Sequence, residues 1–233
     1  MSAEGKWKLG KMLAKLLTKE SNMNKNDLRL FSKKKNKQST FIAWFNRMGL
    51  IKRWSLMHTF QEENISEHSH QVAVISHLLT TIMNVRYGSN LCPDRAATLA
   101  IFHEVAETKT QDISTKIKYM SKEFSEAFKK IENAAEIECF NSLPDDLRKS
   151  YEGLIIQKEV DADYKKIVKA ADVLSAYIKT LNELRFHNSE FTDVKINLED
   201  ILEQQTDVPA VQDFLNEFLE NCTATLDKMC ENY

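Results

Sequence analysis

Only five glycines and three prolines punctuate 233 residues, and that scarcity removes most of the hairpins and tight strand-to-helix turns a chain can make. A chain this long buries about 70–75% of its extended surface, so its elements must be long and rarely interrupted. Long helices meet that demand. Apolar residues recur at spacings of three and four, as one buried helical face requires. Phe41, Ile42, Trp44, Phe45, Met48 and Leu50 crowd one short helix ending near Gly49. Val72, Ile75, Leu79 and Ile82 form the stripe of a central helix for which Ser66 is the expected cap. Asp94 is the expected cap of the next, through Ala96, Ala97, Leu99, Ala100, Ile101 and Phe102.

Further along, residues 121–140 predict a helix with Phe124, Phe128, Ile131 and Ala135 as its stripe, and Asp145 or Asp146 starts a shorter one after Pro144. Residues 164–186 carry Ile167, Val168, Ala171, Leu174, Ile178 and Leu181, and the stretch from 208 to about 229 closes the bundle with Val211, Phe214, Leu215, Phe218, Leu219 and Leu226. Gly153-Leu154-Ile155-Ile156 has strand-like composition but no second strand to pair with. The expected class is all-α, a helical bundle.

Charge divides the chain. The net charge is −2 and the pI about 6.3, which gives no pull toward a nucleic acid polymer or an anionic membrane, yet the basic residues from Lys6 to Lys37 concentrate in the first forty. Residues 1–20 suit a short basic amphipathic helix with Trp7, Leu13 and Leu17 near one face, and 21–40 read as a polar linker. The expected division is a basic extension over 1–40 and one domain over 41–233. Cys92, Cys139, Cys222 and Cys230 form no CxxC pair, a pattern that suits free thiols in a reducing cytoplasm. There is neither a run of eighteen apolar residues nor a signal-peptide core.

Three features carry chemistry. Ser66-Glu67-His68-Ser69-His70-Gln71 opens the central helix, Phe102-His103-Glu104-Val105-Ala106-Glu107 ends the next, and Lys169-Ala170-Ala171-Asp172 lies inside a later one. Imidazoles and carboxylates on separate helices are how a bundle makes a metal cage, because one helix cannot surround an ion. Each alone has an ordinary alternative: His103-Glu104 as a hydrogen-bonded pair, Asp172 as half of an internal salt bridge. Asp172 nevertheless interrupts a helix of Ile167, Val168, Ala171, Val173 and Leu174. It must be paired, hydrogen-bonded or coordinating to escape a desolvation cost of several kcal/mol. His70 and His77 point to other sides of the helix and are expected on the surface or behind the site. His58 and His187 show no partner, while Lys118 and Tyr119 are candidates for the border of a pocket.

Together these motifs resemble the HD-domain phosphohydrolases, specifically the bacterial 5′-deoxynucleotidase branch. The resemblance rests on Ile51-Lys52-Arg53-Trp54-Ser55-Leu56-Met57, Glu63-Asn64-Ile65-Ser66-Glu67-His68-Ser69, His103-Glu104-Val105-Ala106-Glu107-Thr108, Asp112 with Lys118-Tyr119, and Lys169 through Tyr177, and covers about 41–219. It implies an HD-domain bundle and a homodimer. His68, His103, Glu104 and Asp172 would ligate one divalent ion, with Mn, Co, Fe or Zn suiting nitrogen and hard oxygen donors. Such an ion makes a bound water more acidic and neutralises phosphoryl charge. Glu107 would orient or deprotonate the attacking water, Arg53 would take phosphate with its planar fork, Trp54 would wall the nucleoside, and Asp112 would read the sugar 3′ hydroxyl. The implied reaction is hydrolysis of deoxynucleoside 5′-monophosphates.

Two positions depart from the family pattern. Glu104 stands where the superfamily has aspartate, and its extra methylene moves the oxygens by about a bond length in a site that tolerates about 0.5 Å. Gln111 and Ser114 replace the usual glycine and proline around Asp112, which predicts a different loop path. Deoxynucleoside triphosphate cleavage, and nucleotide binding with catalysis weakened at Glu104, are the alternatives to the leading reading.

Overall fold

The computed structural model describes residues 38–230, so the helix expected over 1–20 and nearly all of the expected linker lie outside the described residues. Eleven α-helices follow in order: α1 (Phe41–Met48), α2 (Ile65–Tyr87), α3 (Pro93–Phe102), α4 (Glu107–Thr110), α5 (Thr115–Lys118), α6 (Lys122–Asn141), α7 (Asp145–Tyr151), α8 (Ala162–Arg185), α9 (Thr192–Glu203), α10 (Ala210–Glu217) and α11 (Leu226–Cys230). Short 3-10 turns occupy Gln157–Glu159, Ser189–Phe191 and Leu219–Thr223. Among the described residues there is no strand, only an isolated antiparallel bridge between Lys52 and Asn64. The all-α expectation stands.

The cap of the central helix α2 lies two residues earlier than its sequence suggests. Asn64, not Ser66, is its cap: Asn64 Oδ1 accepts from the Glu67 amide at 3.1 Å while Glu67 Oε2 accepts from the Asn64 amide at 3.3 Å. This reciprocal pair satisfies two otherwise orphaned donors. Gly88, at φ 70, ends the helix in a left-handed conformation that costs a glycine nothing. The buried face of α2 runs Ile65, His68, Val72, Ile75, Leu79, Ile82. Likewise α3 is capped at Cys92, with Pro93 in its first turn and Asp94 already inside the helix. Proline's missing N–H falls where no partner is needed.

Helix α8 is buried on nearly all sides, from Tyr164 through Glu183, because α2, α3 and α9 pack around it. Ala96, Ala100, Ala170 and Ala171 are fully buried where these helices meet, and their small side chains let the backbones approach closely. Each large side chain buried there, such as Leu79 or Leu174, contributes roughly 1.5–3 kcal/mol. A second, smaller core joins Phe41 and Trp44 of α1 to Ala135 and Cys139 of α6, with Val105 and Ala106 between them.

Several local expectations need correction. Phe128 and Ala135 of the α6 stripe are buried, but Phe124 is 36% and Ile131 56% exposed, since the packing of this helix against α1 runs through Ala135 and Cys139. The stretch from 208 onward is broken into α10, a 3-10 turn and α11, leaving Leu226 exposed. Helix α9 was not expected, because Leu202 is its single buried residue and too little of a stripe marks it.

Candidate metal centre

The sequence-predicted ligands converge. His68 projects from the first turns of α2, His103 caps the C-terminus of α3 with Glu104 next to it, and Asp172 lies midway along α8. One ligand atom from each lies within 4.8 Å of all the others. His68 Nε2 stands 3.1 Å from Asp172 Oδ1, and His103 Nε2 stands 3.3 Å from Glu104 Oε1. His68 is fully buried because its position continues the apolar stripe of α2. A histidine on that stripe is itself a sign that something holds it there.

Hydrogen bonds behind the imidazoles fix their tautomers. His103 Nδ1 lies 2.6 Å from the Ala100 carbonyl oxygen, which only accepts, so Nδ1 carries the proton and Nε2 presents a lone pair. His68 Nδ1 lies 3.1 Å from Ser175 Oγ, and Ser175 donates its own proton to Gln71 Oε1 at 2.7 Å. Ser175 therefore accepts from His68, and His68 Nε2 is likewise left as a lone pair. Both Nε2 atoms are buried without a hydrogen-bond partner. Ring orientation by a partner on the far nitrogen is the usual support of a metal-ligating histidine.

Electrostatics point the same way. Burial, followed by the charge of Arg53, lowers the His68 imidazole and keeps it neutral. At His103 burial also lowers, but Glu104 outweighs it and raises the imidazole, a measure of how strongly this spot attracts positive charge. Burial pushes Glu104 and Asp172 up, yet His103 holds Glu104 and His68 with Lys169 hold Asp172 well below the usual carboxylate range. Two carboxylates held low and two imidazole Nε2 atoms thus share a small buried volume, with Lys169 Nζ offsetting part of the charge 2.7 Å from Asp172 Oδ2. A divalent cation fits this donor set, and without one the charge is poorly compensated.

Glu107 begins α4 after a turn through residues 103–106, so it does not share a continuous helix with Glu104 as the spacing implied. It still reaches the cluster. Its Oε2 is buried without a partner, and burial, then Glu104 and Asp112, push its carboxyl up to about 11.

The remaining predicted residues sit on loops beside this cluster. Arg53 Nε donates to Glu63 Oε2 at 3.0 Å, Trp54 Nε1 donates to the same oxygen at 2.8 Å, and the Arg53 guanidinium lies 5.7 Å from the Trp54 ring centre. The Trp54 amide, at φ 57, donates to Asp112 Oδ2 at 3.3 Å, which ties the two loops together. Gln111 adopts φ 62 and ψ 170, a region glycine occupies freely and other residues at a cost. The departure from glycine has thus produced strain at this residue.

Elsewhere, His70 and His77 line a separate apolar groove of about 560 Å³ with Phe45, Met48, Val74 and Ile101, and His77 Nε2 lies 3.4 Å from Asp94. Neither joins the cluster. The His58 amide and carbonyl have partners in Glu190 and Asn188, and His187 occurs at φ 61 in the turn after α8. Lys118 pairs with Glu132 at 2.6 Å. Sequence reasoning missed Glu63, which orients both Arg53 and Trp54, and Ser175 with Gln71, which orient His68. Their contacts bridge nine to 107 positions of chain, and no spacing rule marks such pairs.

Comparison with known proteins follows the same outline. The family described as 5′-deoxynucleotidase YfbR-like matches residues 40–222. A 5′-deoxynucleotidase of Shewanella oneidensis is 41% identical over 191 residues, 82% of this chain and 97% of that protein. The 5′-deoxynucleotidase YfbR of Escherichia coli is 36% identical over 196 residues, 84% of this chain and 98% of that one. Among solved structures, an HD-domain phosphohydrolase from Listeria innocua superposes with a TM-score of 0.68 at 19% identity, covering 80% of this chain and 90% of its own. A cyanophage S-2L HD phosphohydrolase bound to dA and one catalytic Zn2+ ion gives 0.56 at 20% identity, covering 78% and 95%. The fold is that of the HD-domain bundle.

Proposed function

The chain belongs to the 5′-deoxynucleotidase YfbR-like family, and from that premise we propose that His68, His103, Glu104 and Asp172 hold one divalent cation beside which deoxynucleoside 5′-monophosphates are hydrolysed to deoxynucleoside and phosphate. The protein is a metal-dependent phosphomonoester hydrolase. The observation that carries the site reading is the pair of partnerless Nε2 atoms, each fixed from behind at Nδ1, facing two ionised carboxylates. When bound, the cation supplies Lewis acidity toward water and the phosphoryl oxygens.

The chain's own residues do the rest. Arg53, its Nε held by Glu63, keeps its remaining N–H groups for phosphate oxygens. Glu107 Oε2, buried and without a partner, is the atom that orients the attacking water. Asp112 commits Oδ2 to the Trp54 amide and keeps Oδ1 to accept from a sugar 3′ hydroxyl. An added 2′ hydroxyl finds no place there, at a cost of about 1–3 kcal/mol. Trp54, backed by Phe191 at 5.3 Å between ring centres, forms the wall for the nucleoside.

Nitrogen and oxygen donors favour Zn, Mn, Co or Fe, and the zinc of the cyanophage protein supports zinc among them. Residues 41–233 are read as the catalytic domain with 1–40 as an addition, because the family match starts at residue 40 while relatives are spanned almost end to end. The homodimer rests on the family resemblance and is checked by light scattering against twice the chain's 27.0 kDa. Among the described residues no helix is long and apolar enough to cross a membrane, and the four cysteines are unpaired; free thiols support a cytoplasmic setting. The triphosphate and binding-only alternatives gain no support from relatives named 5′-deoxynucleotidase.

The test is phosphate release from dAMP and AMP with Mn, Co, Fe, Zn and Mg in turn. Release from dAMP in at least one metal, faster than from AMP, is expected. No release in any metal overturns the proposal.

A further inference from the structure

Lys179 and Glu183 form an ion pair one turn apart on α8, 7% and 1% exposed, well beyond the proposed metal ligand Asp172 on the same helix. Such a pair is a weak source of stability, because desolvating two charges cancels most of their attraction. Its hydrogen bonds show what it holds. Glu183 Oε2 accepts from the Phe60 amide and from Asn188 Nδ2, each at 2.9 Å, and Oε1 accepts from the Gln61 amide at 3.1 Å and from Lys179 Nζ. Lys179 Nζ also donates to the Gln61 carbonyl. Asn188 Nδ2 donates to the His58 carbonyl at 2.8 Å, and Glu190 accepts from the His58 amide at 2.9 Å.

Apart from the contacts of Glu183 with Lys179 and Asn188, these bonds grip the backbone of one loop, the segment between Trp54 and Asn64. Apolar packing adds little at its tip: Leu56 is 75% exposed and Phe60 68%, with the ring of the exposed Phe186 6.2 Å from that of Phe60. Two residues beyond Gln61 stands Glu63, whose Oε2 orients both Arg53 and Trp54. Phe191, fully buried in the turn just after Asn188, supports the Trp54 ring from the other side.

We propose that Lys179 and Glu183 are positioning residues that clamp the 58–61 turn onto α8, so that one helix sets both the metal ligand Asp172 and the placement of Arg53 and Trp54. Eleven residues of helix separate Asp172 from Glu183, about 16 Å along a rigid axis. The clamp converts that fixed distance into a fixed distance between cation and phosphate-binding guanidinium. Burial pushes the Glu183 carboxyl up, but its bonds from Lys179, Phe60, Asn188 and Gln61 outweigh that and hold it at about 2, so the charged clamp persists at neutral pH.

This inference rests on the nucleotidase reading for its kinetic arm only. The experiment uses the full metal-loaded chain and the variants Glu183→Gln, which keeps shape and removes charge, and Asn188→Ala, which leaves the buried pair intact. Amide exchange is followed at residues 57–63 against 72–82 of α2, with bound metal by elemental analysis and kinetics on dAMP. Expected for Glu183→Gln is about tenfold faster exchange confined to 57–63 and a KM about tenfold higher, with kcat within about threefold and metal retained. Asn188→Ala moves the same quantities about threefold. Unchanged exchange at 57–63, or a folded Glu183→Gln with wild-type KM, overturns the clamp; if Glu183→Gln does not fold, the same two readings on Asn188→Ala decide it. Absence of dAMP turnover in the wild type rejects the functional reading instead, and the exchange comparison still decides the clamp.

Discussion

His68 and Asp172 ride on helices whose buried faces are nearly continuous, with His103 and Glu104 at the end of a third, whereas Arg53, Trp54 and Asp112 sit on loops whose neighbours Leu56 and Phe60 are exposed. The first group is held by apolar packing of α2, α3 and α8, with only short hydrogen bonds needed to set two imidazole rings. The second depends on polar bonds to partners far along the chain: Asp112 to Trp54, Glu183 to Phe60 and Gln61. Helical elements place ligands accurately for an ion that tolerates little error. Loops place the groups proposed to admit and release a substrate, and such segments come from the less stable parts of a fold.

Perturbing each side separately sharpens the contrast. The largest effect is expected from His103→Ala, which removes a ligand from the helical side: metal content should fall to background and turnover of dAMP by a factor of about 1,000 or more, a transition-state loss of about 4 kcal/mol. Full metal content by elemental analysis would remove His103 from the centre. Arg53→Ala should separate the two halves, leaving metal bound while kcat/KM falls about a hundredfold. Equal loss of metal would mean the halves are not independent.

Smaller effects are expected on stability. The bonds on Glu183 hold its carboxyl at about 2, below the roughly 4.3 of an unfolded glutamate. A lowered carboxylate contributes its stability above the unfolded value and loses it as pH falls through the folded one. Glu183→Gln should therefore cost about 3 kcal/mol at pH 7, a deficit that shrinks between about pH 4.3 and pH 2 in denaturant titrations. A deficit independent of pH would contradict the charged clamp. The smallest effect is expected at Gln111, whose φ of 62 stores strain. Gln111→Gly should stabilise by about 1 kcal/mol, raising Tm by about 2–4 °C, with activity little changed; a lower Tm would show that the loop is not strained.

How far the sequence could be read follows the same division. Helices with strong apolar stripes, such as α2 and α8, were legible to within a few residues, and the four candidate ligands could be named because residue types and motif spacing are local properties. Caps were less legible: Ser66 and Asp94 are good cap residues, but Asn64 and Cys92 take those places once the chain's path is set. Helix α9 was invisible for want of a stripe, as were the distant partners of Glu63, Ser175 and Glu183 for want of any local signal, although the Lys179–Glu183 spacing of four is itself legible.

By itself the sequence determined that this chain is helical, which residue types present nitrogen and oxygen donors, and which family those motifs resemble, since periodicity and composition act over a turn or two of chain. Only the tertiary structure decided that the donors meet, which nitrogen of each imidazole faces them, and what holds the Arg53 loop. Those are matters of hydrogen bonds whose partners lie from 3 to 123 positions apart, and the free energy of such a contact depends on where packing brings its two ends.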